Sequence, residues 1–279
     1  MNTIELTIPV DEARHEVLIA RLEEFGFNGF RQDTGALRAY ISSEDWSRGK
    51  AQYVASWLQK QGAQGAVQER VIEDQNWNAL WEETLQPMRV GPFWIKPTWA
   101  EAPAAAESAI VLDIDPKMSF GTGYHESTRL MLRLLPDLVA DGDVVLDAGT
   151  GTGVLAIAAV HLGAEQVIAF DVSEWSDVNA RENCEQNGVA ASVDVRHGDI
   201  GVVPETGFDT ILANIERDIL IDLLPHFAEK LAPGGHVALA GLLTEDQPPM
   251  RAAIASNGFT IDQDATENEW WAVVLKKQA

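Results

Sequence analysis

The chain has 279 residues, 46% hydrophobic and 8% aromatic, a composition that excludes a disordered or low-complexity protein and leaves room for two domains. Its 43 acidic and 20 basic side chains give a formal net charge of −23, which repels nucleic-acid backbones and suits either a basic partner or a hydrated surface in a salty cytoplasm. A single cysteine, Cys184, excludes an internal disulfide and a cysteine-rich metal site, and the six histidines lack ligand spacing, so no metal is expected. No apolar run reaches the about 18 residues of a membrane span, and no basic-then-apolar leader opens the chain. A cytoplasmic protein without membrane contact is expected.

The first seventy or so residues alternate strands and helices. "TIELTIPV" has the period of a half-buried strand, and "EARHEVLIARLEEFGF" repeats Val17, Leu18, Leu22 and Phe25 at helical spacing before Gly26 and Gly29 end it. "GFRQDTGALRAYIS" reads as a hairpin turning at "DTG". A second helix carries Trp46, Tyr53, Val54, Trp57 and Leu58, and "AVQERVIE" makes a fourth strand. The order strand, helix, strand, strand, helix, strand is that of a ferredoxin-like unit. Nothing in it has catalytic character.

Four tryptophans follow, Trp77, Trp81, Trp94 and Trp99, the first two spaced to share one helix face and pack a domain junction. Pro87, Pro92, Pro97 and Pro103 then punctuate the run.

From about 108 the pattern becomes "AIVLDI", a helix over "STRLMLRLLPDLV", then the short apolar strands "DVVLDA", "QVIAFDV", "SVDVR" and "FDTILANI" between helical segments. Such alternation predicts a parallel sheet covered on both faces. The tail, "GFTIDQDAT" and "EWWAVVLKK", reads as a closing antiparallel pair.

"DAGTGTG", residues 147–153, stands where a strand ends and a helix begins, the place where open α/β sheets bind ligands. Gly149, Gly151 and Gly153 let backbone approach a ligand, but the dinucleotide spacing Gly-x-Gly-x-x-Gly fails because position 154 is valine. Asp147 ahead of the glycines and Asp171 closing the next strand instead resemble the S-adenosylmethionine-dependent methyltransferases of Rossmann-like type. A cofactor bearing a sulfonium and an ammonium welcomes a nearby acid, and Asp171 is placed to accept from ribose hydroxyls. Asp199 in "HGDI" is either an adenine contact or an ordinary loop acid.

"FGTGYHEST", residues 120–128, and "ILANI", residues 211–215, together with the tryptophan-rich junction, resemble the ribosomal protein L11 methyltransferase family. The resemblance implies a seven-stranded Rossmann-like methyltransferase sheet over 108–279, a ferredoxin-like substrate-recognition domain over 1–66, and a linker with junction strands over 67–107. It places S-adenosylmethionine contacts on Thr128, Gly149, Asp171 and Asn214, with Phe120 and Gly121 shaping the pocket. It further implies a monomer that methylates lysine amines and/or the N-terminal α-amine of ribosomal protein L11. Departures are Glu126 for the usual proline, Ser127 for the first threonine, a Gly-Thr-Gly-Thr-Gly loop for Gly-Cys-Gly-Ser-Gly, and Trp271 or Ala272 for an arginine.

Asn214 is the expected catalytic residue. Enzymes acting on planar amines follow this asparagine with a proline pair and an aromatic ring for stacking, whereas "NIER" has neither, which favours an aliphatic amine. His125 reads either as a base or as a structural group fixing its loop. Two rivals remain: a lysine methyltransferase for another protein, such as an electron-transfer flavoprotein subunit, and a cofactor-binding regulator without catalysis.

Overall fold

The computed structural model describes residues 2–73, 84–103, 106 and 109–277. The expected Trp77–Trp81 helix face lies outside them. The chain forms two compact units, Met1–Trp77 and Asn78–Ala279.

In the first unit the strands β1 (Thr3–Pro9), β2 (Gly29–Asp33), β3 (Ala36–Ser42) and β4 (Gln68–Ile72) form an antiparallel sheet in the order β2-β3-β1-β4. Helices α1 (His15–Glu24) and α2 (Arg48–Lys60) complete the ferredoxin-like order. Alternate residues Ile4, Leu6 and Ile8 of β1 meet Leu37, Ala39 and Ile41 of β3 and Leu18, Leu22, Val54 and Leu58 of the helices in one core. Two readings from helical spacing differ from this. Val17 is 67% exposed, because the buried stripe of α1 runs through His15, Leu18 and Leu22. Trp46 precedes the cap Ser47 of α2 and packs edge-on against Phe27.

The second unit is built on seven strands in the order β10-β9-β8-β11-β12-β14-β13. In chain order they are β8 (Val144–Ala148), β9 (Gln166–Asp171), β10 (Val193–His197), β11 (Phe208–Asn214), β12 (Leu231–Leu243), β13 (Phe259–Glu267) and β14 (Trp270–Lys277). The first five pair in parallel, and β14 closes antiparallel against β12 and β13. Period-two alternation sends Val145, Val167, Leu212 and Ala238 to one face and Leu146, Ile168, Ile211 and Val237 to the other. The first face is covered by α3 (Glu126–Leu134), α4 (Val154–Leu162) and α5 (Glu174–Gln186), the second by α6 (Arg217–Lys230) and α7 (Gln247–Ser256). The chain leaves β8 and β11 in opposite directions, so a crevice opens at their C-terminal ends.

The expected strand "AIVLDI" is real but lies outside this sheet. As β7 (Ile110–Asp113) it pairs in parallel with β6 (Phe93–Lys96), which pairs with β5 (Met88–Val90), a separate three-stranded layer. Phe93, Ile95 and Leu112 from it join the core of the first face. Beyond β7, backbone polar groups are met by side chains of α5. Asn187, at the C-cap of α5, exchanges two hydrogen bonds with the backbone of Asp113, at 2.9 and 2.7 Å. Asn183 accepts from the Asp115 amide and donates to the carbonyls of Asp115 and Thr152, while Asn179 donates to Asp115 as well. Asparagines at every fourth position thus act as the missing neighbour strand.

Asn183 is wholly buried. Asn183→Ala is expected to strand the Asp115 amide and the Thr152 carbonyl, the Asp115 carbonyl keeping its bond from Asn179, and to cost about 3 kcal/mol of stability. The urea midpoint of the second unit's transition measures it.

Candidate active site

A cleft of 390 Å³ opens at the C-terminal ends of β8, β9 and β11. Phe120, Gly149, Gly151, Phe170, Asp171, Val172, Ser176, Asp199, Ile200, Asn214, Ile215, Ile219 and Leu223 line it.

The glycine loop forms its floor. The amides of Gly149 and Thr150 donate to the Phe170 carbonyl, tying the loop to β9. Gly151 donates to Asp171 Oδ2 and Ser173 to Asp171 Oδ1, both at 2.9 Å, so two amides orient that carboxylate at the cleft wall. Thr152 clamps the second loop: its amide donates to the Phe120 carbonyl at 2.9 Å and its hydroxyl to the Gly121 carbonyl at 2.7 Å. The approach leaves no room at Gly151, where a Cβ would stand 2.2 Å from the Phe120 oxygen and φ is +56°. The glycines are therefore demanded by protein backbone as well as by any ligand.

Asp147 and Gly153 do not line the cleft. Gly153, at φ +82°, caps α4 and abuts Ala180 of α5. Asp147 is 1% exposed; strand parity puts it on the Val145 face, under the helices, where its Oδ2 accepts from the Thr150 hydroxyl at 2.6 Å. Burial pushes its carboxyl up to about 7, against the Thr150 hydrogen bond, and the charge of Asp171 adds to the rise. Its place is as a brace inside the loop.

At the end of β11 the Asn214 amide is held by one bond, Nδ2 donating to Thr128 Oγ1 at 3.3 Å, while its buried Oδ1 has no partner. Thr128, in the first turn of α3, is wholly buried behind it. His125 caps α3: its Nδ1 accepts from the Ser127 amide and lies 2.8 Å from the Ser127 hydroxyl. The ring stacks edge-on against Phe120 and Trp270, with centroids at 5.0 and 4.3 Å. Burial first, then the Arg129 charge, holds His125 below the usual histidine range, partly opposed by Glu126 and Glu269. A neutral Nδ1 engaged as a cap is a structural group, and His125 is not on the cleft wall.

The structure thus brings Phe120, Gly149, Gly151, Asp171 and Asn214 onto one wall system, with Thr128 directly behind. Gly121 lies behind Phe120, in a shallow groove it shares with Tyr124 and His125. Asp199 joins the cleft beside Ile200. Motif reading misses the apolar walls Ile215, Ile219 and Leu223, although their spacing of four is a helix-face signal.

Among the described residues no lysine or arginine lines the cleft, which leaves a pyrophosphate unneutralised. A carboxylate at Asp171, an unpaired amide oxygen at Asn214 and apolar walls fit a cationic nucleoside such as S-adenosylmethionine. Among the described residues no group of three or more His, Cys, Asp and Glu could hold a metal ion. Nor, among them, is any helix long and apolar enough to cross a membrane.

Residues 28–278 match the family described as Ribosomal protein L11 methyltransferase (PrmA). The ribosomal protein L11 methyltransferase of Chlorobaculum tepidum is 36% identical over 283 residues, covering 99% of this chain and 96% of that one. That of Porphyromonas gingivalis is 35% identical, covering 96% and 92%. A solved ribosomal protein L11 methylase from Lactobacillus delbrueckii subsp. bulgaricus superposes with a TM-score of 0.66 at 29% identity, over 70% of this chain and 100% of that one.

The raised pKa of Asp147 makes a pH prediction. An acid protonated in the native state contributes stability that is complete below about pH 4 and is lost as pH rises through about 7. Asp147→Asn is expected to match the wild type near pH 4 and to melt several degrees higher at pH 8. Thermal melts across that range check it.

Proposed function

The chain belongs to the ribosomal protein L11 methyltransferase family, and on that premise we propose that it methylates amines of ribosomal protein L11, at lysine side chains, the N-terminal α-amine, or both. S-adenosylmethionine, when bound, supplies an electrophilic sulfonium methyl. The rest falls to the residues of the cleft.

Asp171 would hold the ribose hydroxyls, each carboxylate oxygen keeping acceptor capacity beyond its one amide bond. Phe170, Val172 and Ile200 offer apolar surface to the purine, with Asp199 beside them to accept from its exocyclic amine. The acceptor nitrogen must be neutral to attack. For a lysine with a reference pKa of about 10.4 this costs about 4.6 kcal/mol at pH 7, and an α-amine near 8 demands less. Apolar walls at Ile215, Ile219 and Leu223 lower that cost by disfavouring the ammonium.

The observation that carries the reading is the orphaned Oδ1 of Asn214, an acceptor on the cleft wall fixed in direction by Thr128. An amine N–H donated to it would fix the direction of the nitrogen lone pair. Transfer of the methyl from sulfur to the amine would leave S-adenosylhomocysteine and a methylated ammonium whose proton passes to solvent, the part of Asn214 being to hold the neutral amine. Orientation and desolvation carry the acceleration, because His125 is committed to its cap.

A net charge of −23 supports a lysine-rich protein substrate over nucleic acid. Residues 1–66 would recognise that substrate, and the chain would act as a cytoplasmic monomer.

Asn214→Ala is expected to reduce methyl transfer to L11 by at least about a hundredfold while cofactor affinity stays within a few-fold, measured by labelled-methyl incorporation beside calorimetry. Equal loss of both would move Asn214 to cofactor binding. Deletion of residues 1–66 should keep cofactor binding and abolish L11 methylation. Label from the whole chain appearing on another protein in a cell extract, with L11 unlabelled, would overturn the substrate.

A further inference from the structure

Large apolar side chains exposed on the second unit, Trp99 apart, gather at the cleft and on or against the helix beside it. Among its described residues seven are exposed: Trp99, Met118, Phe120, Val172, Trp175, Val178 and Ile219. Phe120, Val172 and Ile219 line the cleft. Trp175, 78% exposed, and Val178, 48% exposed, stand one turn apart on α5, beside Ser176 of the cleft wall. Met118, 79% exposed, follows Lys117, whose ion pair with Glu182 at 2.6 Å draws that turn against the same helix, four residues beyond Val178.

The fold makes no use of this ridge. α5 is anchored by Ala180 and Cys184 in the core and by Asn179 and Asn183 against the β7 segment. An exposed tryptophan beside an exposed valine at a cleft mouth has the composition of an interface centre.

The surrounding charge selects the occupant. Glu174, Asp199 and Glu216 at the cleft margin are exposed and form no ion pair among the described residues. The nearby cations are spent: Lys117 pairs with Glu182, Arg181 with Asp177, and Arg217 with Asp218 and Asp246. Apolar ground framed by unneutralised carboxylates repels nucleic acid and anionic membrane and suits a cationic chain with an apolar side chain.

We propose that the ridge of Met118, Trp175 and Val178 docks the substrate segment next to the target amine, a segment carrying lysine or arginine and at least one apolar side chain. This rests on the substrate reading above and adds a second hold on the protein, outside the cleft. Binding energy spent there is the same in ground and transition states, so it sets KM and leaves kcat alone.

The test compares the wild type with Trp175→Ala, Val178→Ser and the double variant, in the full chain, with L11 as substrate. All are surface changes, and matched thermal midpoints confirm folding. The double variant is expected to raise KM for L11 about tenfold or more, with kcat and the calorimetric Kd for S-adenosylhomocysteine within about twofold of wild type. Glu174→Lys is expected to raise KM further and to flatten its salt dependence. An unchanged KM in the double variant overturns the ridge, and so does a weakened cofactor Kd, which would make it part of the cofactor site. A wild type that leaves L11 unmethylated overturns the substrate reading itself, a result distinct from either.

Discussion

Two backbone segments meet without an intervening side chain: the carbonyl of Phe120 and the chain at Gly151 and Thr152. The Thr152 amide and hydroxyl hold the Phe120 and Gly121 carbonyls, and a methyl group at Gly151 would collide with the Phe120 oxygen. From this contact the cleft takes its floor, its Phe120 wall and the direction in which Gly151 presents its amide to Asp171. Loosening it would separate the sugar-binding acid from the loop before α3, whose first turn supplies Thr128 behind Asn214.

Polar groups in the interior keep the contact rigid. Asp147 braces Thr150, Asn183 spans Thr152 and Asp115, and His125 caps α3 between two aromatic rings. Each would cost about 1–3 kcal/mol if left unpaired, so the loops have few alternatives to their observed arrangement. A site ordered before its ligands arrive spends less binding energy on ordering them. On the outer side, Arg129 joins the Tyr124 carbonyl to Glu267 at the β13–β14 turn, which extends the support to the edge of the sheet.

Much of this is legible in the residues because it rests on local chemistry. The glycine loop, the acid one strand later and the asparagine closing β11 each mark a strand end, and strand ends in such a sheet converge. Asp147 is harder: spacing suggests a ligand contact, whereas parity with Val145 turns it under the helices, and only the pairing register of β8 makes that parity usable. β12 is not singled out by apolar runs, since Pro233, Gly234 and Gly235 interrupt it. β7 has the composition of a central strand but pairs elsewhere, its second edge being satisfied by asparagines spaced one helical turn apart on α5, a long-range substitution that no window of sequence displays. The walls from α6 are visible as a helix face yet gain meaning only beside Phe170 and Asp199.

The chemistry follows from what the cleft lacks as much as from what it holds. With no basic side chain among the described residues of its walls and a carboxylate at its edge, it favours a cationic nucleoside over a dinucleotide. Calorimetric titration of the chain with S-adenosylmethionine and, separately, NADH tests this most directly. One saturable site per chain for the methyl donor and no heat from NADH is the predicted result; clean saturation by NADH with none by the donor would contradict it.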